Sequence, residues 1–251
     1  MTFPALAVTY LELTAIIWAR YFIIAGLFYF LLWGRPEDKV GARRLADRRP
    51  EAKTVRHEIR MSLASSAIYA APGAIVFEMF RHGGTAIYAG PINGVLSWLY
   101  LPVSVFIYLM IHDAYFYWTH RLMHHPKLFR ATHLAHHRSR QPTPWAAFSF
   151  HPWEAIISAW ILPAAALFIP IHVGAVLFVL VFMTYCSVAN HAGWEIVPER
   201  WVKGLFGAHF ISASHHNVHH TNYNANYGLY FRFWDLLMKT DEGVAEPIRV
   251  K

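Results

Sequence analysis

The sequence predicts an all-α, multi-pass membrane protein with four or five transmembrane helices and a helical cytoplasmic cap holding a di-metal histidine site. Three observations predict it. The 251 residues are 56% hydrophobic and only 15% charged, where a soluble domain carries about 25% charged residues. Apolar runs of about 20 residues, the length that spans a bilayer, recur along the chain. Of the 17 histidines, all but His57 and His82 fall between residues 112 and 220.

The elements follow in order. Residues 4–33 form the first span. No basic stretch precedes it and no small-residue cleavage site follows, so it reads as a retained helix and not a signal peptide. Residues 61–80 and 93–112 supply the second and third spans. The stretch 154–189 is long enough for two short passes turning near Pro170, and each half, about 17 residues, can be tilted or re-entrant. The whole chain, 1–251, reads as a single integral membrane domain. The lone cysteine, Cys186, excludes a disulfide framework.

The net charge of +7 does not point to nucleic acid, because nine of the 22 Lys and Arg lie in residues 34–60. A basic stretch between two apolar runs reads as a cytoplasmic loop beside anionic headgroups. The opposite turn, 81–92, has one Arg and no Lys. Threading the spans from there delivers every histidine-rich stretch to the cytoplasmic side. That side is the cytoplasmic face of a bacterial inner membrane, or of the endoplasmic reticulum in a eukaryote.

Three histidine sets have helix spacing: His120 and His124; His133, His136 and His137; His216, His219 and His220. Residues three and four apart share a helix face, so each set can aim its imidazoles at one centre. Imidazole suits Zn, Cu, Fe and Ni. Eight such ligands exceed the needs of one ion, and two ions is the economical reading. His57, His82 and His172 stand alone and read as hydrogen-bonding residues. His125 and His215 adjoin the clusters but break the spacing. His151 reads as orienting a neighbour, and His112 and His209 carry no assignment. Asp113 falls within about 60° of Tyr117, His120 and His124 on a helical wheel. It is expected to accept a ring N–H and fix a tautomer. A pH sensor does not need three such sets. A metal transporter, a remote alternative, places ligands and acidic residues inside the spans.

The segment YWTHRLMHHPKLFRATHLAHH, then HPWE at 151–154, NHAGWE at 190–195 and HNVHHTNYNANYGLYFRFWD at 216–235 resemble the fatty acid hydroxylase and sterol desaturase superfamily of membrane di-iron enzymes. The resemblance covers residues 100–240 and implies a catalytic region there, after N-terminal helices and a basic loop in 1–99. It implies two iron ions, dioxygen as co-substrate and a membrane lipid as substrate. By the same resemblance His120, His124, His133, His136, His137, His216, His219 and His220 are the ligands, with His191 as a ninth. Some members place another histidine where this chain has Glu195, which is left as ligand, bridge or structural cap. One departure is Lys239, in WDLLMKT, where the family has glycine; it puts the local turn geometry in question.

The expected function is therefore hydroxylation of an unactivated lipid C–H bond, with lipid or sterol desaturation by the same site as the alternative. Asp113 and Glu195 are the candidates for proton delivery. The chain has no GxGxxG fingerprint and no CxxC pair, so a separate reductase or electron carrier is expected as partner.

Overall fold

A computed structural model describes residues 2–40 and 43–246; Gly41 and Ala42 of the basic loop lie outside the described residues. Four long helices set the frame: α1 (Phe3–Trp33), α2 (Ala52–Arg81), α3 (Val95–Met123) and, after an interrupted pass, α8 (Val173–Asn190). All four are long and apolar enough to cross a membrane. Most of their exposed side chains are apolar, among them Leu11, Ile23 and Leu27 on α1, Leu96, Leu99 and Phe106 on α3, and Leu177 and Phe178 on α8. Their polar side chains turn inward: Thr9, Thr14, Ser62, Ser66, Glu78 and Ser104 are buried. That inverted pattern suits a hydrocarbon solvent, in which every polar group needs an internal partner. Pro72 and Pro102 lie inside α2 and α3, which neighbouring helices in a membrane bundle tolerate.

Three predicted boundaries change. The basic loop ends at Glu51, because α2 begins at Ala52. The third span does not stop at 112; α3 continues to Met123 and carries His120 with it. Apolar residues fill its lipid face as far as Leu122, so nothing ends the helix until the HHP sequence at 124–126. The first half of 154–189 is broken at Ala159–Trp160 into α6 (Pro152–Ser158) and α7 (Ile161–Phe168), each too short to span alone.

Between the spans lie the cap elements: α4 (Pro126–Thr132), α5 (Leu134–His137), a 3-10 turn at Pro144–Phe148, α9 (Glu199–Val202), α10 (Leu205–His209), α11 (Ala213–Thr221) and α12 (Phe233–Leu237). Two small ladders mark the two ends of the bundle. At the histidine end, β1 (Arg43–Arg44) pairs antiparallel with β4 (Trp194–Glu195). At the other end, β2 (Ile87–Tyr88) pairs parallel with β3 (Ile171–His172). The 81–92 turn and the turn at Pro170 are therefore neighbours, and 152–190 runs down the bundle and back. His172 fastens this end: its Nδ1 accepts from Gly174 N–H at 3.0 Å and its Nε2 lies 3.2 Å from the Gly90 carbonyl.

Hydroxyl groups pin the segment 143–150 to the first two helices. Tyr21 and Ser62 both donate to the Trp145 carbonyl, at 2.8 and 2.9 Å. Ser65 donates to Phe150 O at 3.1 Å, and from the other side Ser187 donates to Ala147 O at 2.7 Å. At Gly193, φ is +70°, and an added Cβ would meet Trp33 at 2.7 Å; this is why the NHAGWE segment needs glycine there.

Lys239 answers the question the sequence raised. It adopts φ +56° directly after the residue capping α12, the left-handed conformation that glycine takes at a helix end. The turn is kept and the lysine bears the strain. Lys239→Gly is expected to raise stability by about 0.5–1 kcal/mol, read as a rise in the thermal midpoint of the detergent-solubilised protein.

Candidate metal centre

Nine histidines converge in the cap. His120 lies in the last turn of α3, and His124 caps that helix. His133 sits at the junction of α4 and α5, with φ −121°, and His136 and His137 end α5. His191 caps α8, and His216, His219 and His220 line α11. They separate into two groups. His120, His124, His133, His137 and His219 form one, and His136, His191, His216 and His220 the other; within each, the ring nitrogens lie within 4.8 Å of one another.

The predicted helical face at 133–137 is not continuous: the chain breaks at His133, and α5 is a single turn. This break lets His133 and His137 join one group while His136, between them, faces the other. The set on α11 divides likewise, His219 to the first group and His216 and His220 to the second.

The donor chemistry tests whether these groups fit metal ions. His120 Nδ1 donates to Tyr227 O at 2.8 Å, His136 Nδ1 to Ser149 O at 3.3 Å, His191 Nδ1 to Ser187 O at 2.7 Å, and His219 Nδ1 to Ala225 O at 2.8 Å. A carbonyl only accepts, so the proton of each neutral ring is on Nδ1 and Nε2 carries a bare lone pair. Burial, reinforced by neighbouring imidazoles, holds His133, His136, His137, His216, His219 and His220 well below the usual imidazole range. Burial also brings His191 down to about 4. Yet His191 Nε2 and His136 Nε2, both bare, are 3.1 Å apart. His120 and His133 approach at 2.9 Å, His219 and His137 at 3.0 Å, and His216 and His191 at 3.0 Å through the same atoms. Lone pairs facing at this distance repel unless a cation lies between them. Two nitrogens each about 2.1 Å from one ion, at angles from a right angle to tetrahedral, are separated by about 3.0–3.4 Å. The donor set fits two ions.

The remaining rings are set by packing. His137 lies against Tyr223 with centroids 4.5 Å apart, and His216 against His191 at 4.4 Å. His133 has a carboxylate: Glu154 Oε1 is 2.7 Å from its Nδ1, and both are buried. Sequence reasoning missed Glu154. It singled out His151 of HPWE, which instead caps α6 by accepting from Trp153 N–H; only the H-P-x-E pattern itself pointed to the glutamate. Glu154→Gln is expected to lower metal affinity about 10–100-fold, measured as metal retained per chain against a graded chelator.

The two proposed proton carriers take other places. Asp113 does not touch a histidine ring. Its Oδ1 accepts from the backbone N–H of Tyr230 at 2.8 Å and of Phe231 at 3.3 Å. The helical wheel placed it on the right face, but the 225–231 strap crosses that face and takes the carboxylate first. Glu195 is no ligand either: one oxygen accepts from Val197 N–H at 2.9 Å, the other from Ser212 Oγ at 2.6 Å and Ser214 N–H at 2.9 Å. It caps the start of α11, where a negative charge suits the helix dipole. Asp113→Asn keeps an acceptor for the strap, so it is expected to retain activity within about fivefold, whereas Asp113→Ala strands the buried Tyr230 N–H and the half-buried Phe231 N–H and costs about 2–4 kcal/mol. Activity and melting of the two variants, side by side, check this.

His125 caps α4, and His215 Nε2 lies 3.3 Å from Asp241. His112 Nδ1 is 2.9 Å from the Tyr230 hydroxyl, and His209 is exposed. None of these joins the two groups. Between the groups is a space of about 20 Å³ bordered by His120, His133, His136, His191 and His216, with Phe116, Phe150, Ser187 and Leu229. Those last four also line a second, apolar cavity of about 470 Å³ that extends between α1, α2, α3, α7 and α8. The cavity runs from these four shared residues, beside the histidines, to Phe80, Ile87 and Val173 near the opposite end of the bundle.

The sequence model described as fatty acid hydroxylase matches residues 105–240, a span that holds all nine histidines. The chain belongs to the fatty acid hydroxylase family. Among its curated relatives within the fatty acid hydroxylase and sterol desaturase superfamily, it is similar to lathosterol oxidase of Rattus norvegicus, 28% identical over 72% of this chain and 59% of that protein. It is 33% identical to a Delta(7)-sterol 5(6)-desaturase of Aspergillus fumigatus, over 55% of this chain and 48% of the relative. It is 29% identical to the C-4 methylsterol oxidase of Schizosaccharomyces pombe, over 55% and 47%. The chain thus spans about half the length of the curated relatives it matches. No solved structure matches it.

Proposed function

We propose that this fatty acid hydroxylase family member is an oxidoreductase that uses dioxygen to hydroxylate an unactivated C–H bond of a membrane lipid, with an iron ion in each histidine group. The observation that carries the reading is the meeting of two buried imidazole groups with the end of an apolar cavity of about 470 Å³. That volume is within the range of small-molecule sites.

Iron, when bound, supplies the redox chemistry with dioxygen that neither imidazole nor carboxylate possesses and that zinc lacks; the electrons come from a separate reductase or carrier. The chain's own residues do the rest. His120, His136, His191 and His219 present Nε2 because backbone carbonyls hold their Nδ1 protons. Glu154 orients His133. Phe116, Phe150 and Leu229 wall the junction of site and cavity, excluding water and holding an alkyl group in one place, which supplies proximity and orientation. The Lys/Arg-rich residues 34–51 are at the same end as the histidines, through the β1–β4 ladder, which supports a cytoplasmic site by the positive-inside bias.

Desaturation is the second reading, favoured by relatives such as the Delta(7)-sterol 5(6)-desaturase. Both begin with loss of one C–H hydrogen and part at whether hydroxyl is added or a second hydrogen is removed. Expression with iron under labelled dioxygen, followed by mass spectrometry of host lipids, separates them: gain of one labelled oxygen marks hydroxylation, loss of two hydrogens marks desaturation. No change in any lipid, with metal bound and a reductase present, sinks both.

A further inference from the structure

The cavity is apolar except at a few points, and two of them are charged residues of α1, Glu12 and Arg20. Arg20 on α1 lines it. Its Nε is buried without a hydrogen-bond partner, and among the described residues it forms no ion pair. A charged side chain within a spanning helix is costly, and such residues mark substrate or ion paths when they face an internal cavity.

The depth of Arg20 is fixed by its neighbours. On α3, the exposed Trp98 and Trp118 are 20 residues apart, about 30 Å along the helix. That is the thickness of the hydrocarbon core, and tryptophans favour its two borders. Trp118 marks the histidine-side border, and His120 is two residues beyond it. On α1, Tyr21 follows Arg20. Its ring is 5.9 Å from Phe148, and its hydroxyl donates to Trp145 O. Two residues along from Phe148, the Phe150 ring is 5.1 Å from His136. Arg20 is thus joined to the metal centre through Tyr21 and the 145–150 segment, whose Phe148 and Phe150 also line the cavity. The rest of the cavity descends, without another unpaired cation among the described residues that line it, toward Phe80 and Val173.

Building on the lipid-oxidation reading, we propose that Arg20 is the anchor for the polar oxygen of the lipid substrate. It holds the substrate's polar end at the depth of the metal centre, so that the oxidised carbon is near that end and the apolar remainder fills the slot. Guanidinium is well matched to such an oxygen, because it stays charged and presents several donors to a hydroxyl or carboxylate. Arg20 acts as a positioning residue that sets specificity, with no part in the chemistry.

The test is equilibrium binding of radiolabelled lipids to the full-length protein in nanodiscs, with two probe pairs: cholesterol against cholestane, and hexadecanoic acid against hexadecane. In the wild type, one oxygen-bearing lipid is expected to bind about 10–100-fold more tightly than its hydrocarbon partner, the gain of a charge-assisted hydrogen bond. Which pair shows the gap distinguishes a hydroxyl from a carboxylate. Arg20→Met is expected to erase the gap while leaving hydrocarbon binding unchanged, and Arg20→Lys to restore part of it; a melting curve for each variant verifies folding, and Arg20→Gln replaces any that fails. A gap that persists in Arg20→Met overturns the proposal, as does the absence of a gap in both wild-type pairs. Binding needs no turnover, so a protein that shows the Arg20-dependent gap yet oxidises no lipid overturns the oxidation reading alone.

Discussion

Replacing His136 or His219 by alanine is expected to remove one metal ion per chain and to reduce lipid-modifying activity by more than about a hundredfold, beyond the 10–100-fold that loss of an outer partner costs. The two residues sample the two groups: His136 belongs with His191, His216 and His220, and His219 with His120, His124, His133 and His137. Each presents a bare Nε2 because its Nδ1 is held by a carbonyl, of Ser149 and Ala225 respectively. Each single variant should therefore empty its own group first, leaving about half the metal by elemental analysis, while activity falls with either. Two ions lost together from either variant would show one coupled centre. Full activity in both variants would end the metal-enzyme reading. The comparison variant is His125→Ala, whose ring only caps α4; it is expected to keep its metal and most of its activity.

The second large effect lies where no histidine is changed. Asp235 is fully buried. Its Oδ1 accepts from Tyr227 N–H at 2.9 Å and from Thr240 Oγ1 at 2.8 Å, and its Oδ2 from Gly228 N–H at 2.8 Å. The Tyr227 carbonyl then accepts from His120 Nδ1. Asp235→Ala leaves the buried N–H groups of Tyr227 and Gly228 without an acceptor, the half-buried Thr240 hydroxyl keeping only the Tyr117 hydroxyl as partner, and is expected to cost about 3–5 kcal/mol. It should also loosen His120, so metal affinity and stability fall together. Asp235→Asn retains one oxygen and is expected to lie between. The measurements are thermal or chemical denaturation in detergent and metal content of the folded fraction. If Asp235→Ala melts as the wild type does, the strap is not what orders the site.

These two predictions also show what was readable in the chain. The apolar runs of α1, α2, α3 and α8 were legible because their lipid-facing sides are apolar and most of their buried polar groups are small hydroxyls, which leave the long apolar signals intact. The nine histidines were legible by helix spacing and by the family's ordered segments. The paired carboxylates were not. Asp113 and Asp235 both hold the 225–231 strap, and that contact joins residues more than a hundred positions apart in the case of Asp113 and Tyr230. A helical wheel sees only one element, so it assigned Asp113 to His120 and His124. Glu154 was overlooked for the same reason, since its partner His133 is on another short helix.

The sequence by itself determined the class of this protein and the chemistry available to it: a membrane chain, its spans and a set of nine imidazoles too dense for one ion. Only the tertiary structure decided how they are shared. Spacing at i, i+3 and i+4 would keep each HxxHH set together on one face, yet each set is divided between two groups. A single turn of helix between two facing walls presents adjacent rings to opposite sides, and the break at His133 turns the first set further. Which oxygen holds most of the rings was likewise settled by packing, because the carbonyls of Ser149, Ala225 and Tyr227 come from loops and helix ends whose positions no local pattern encodes.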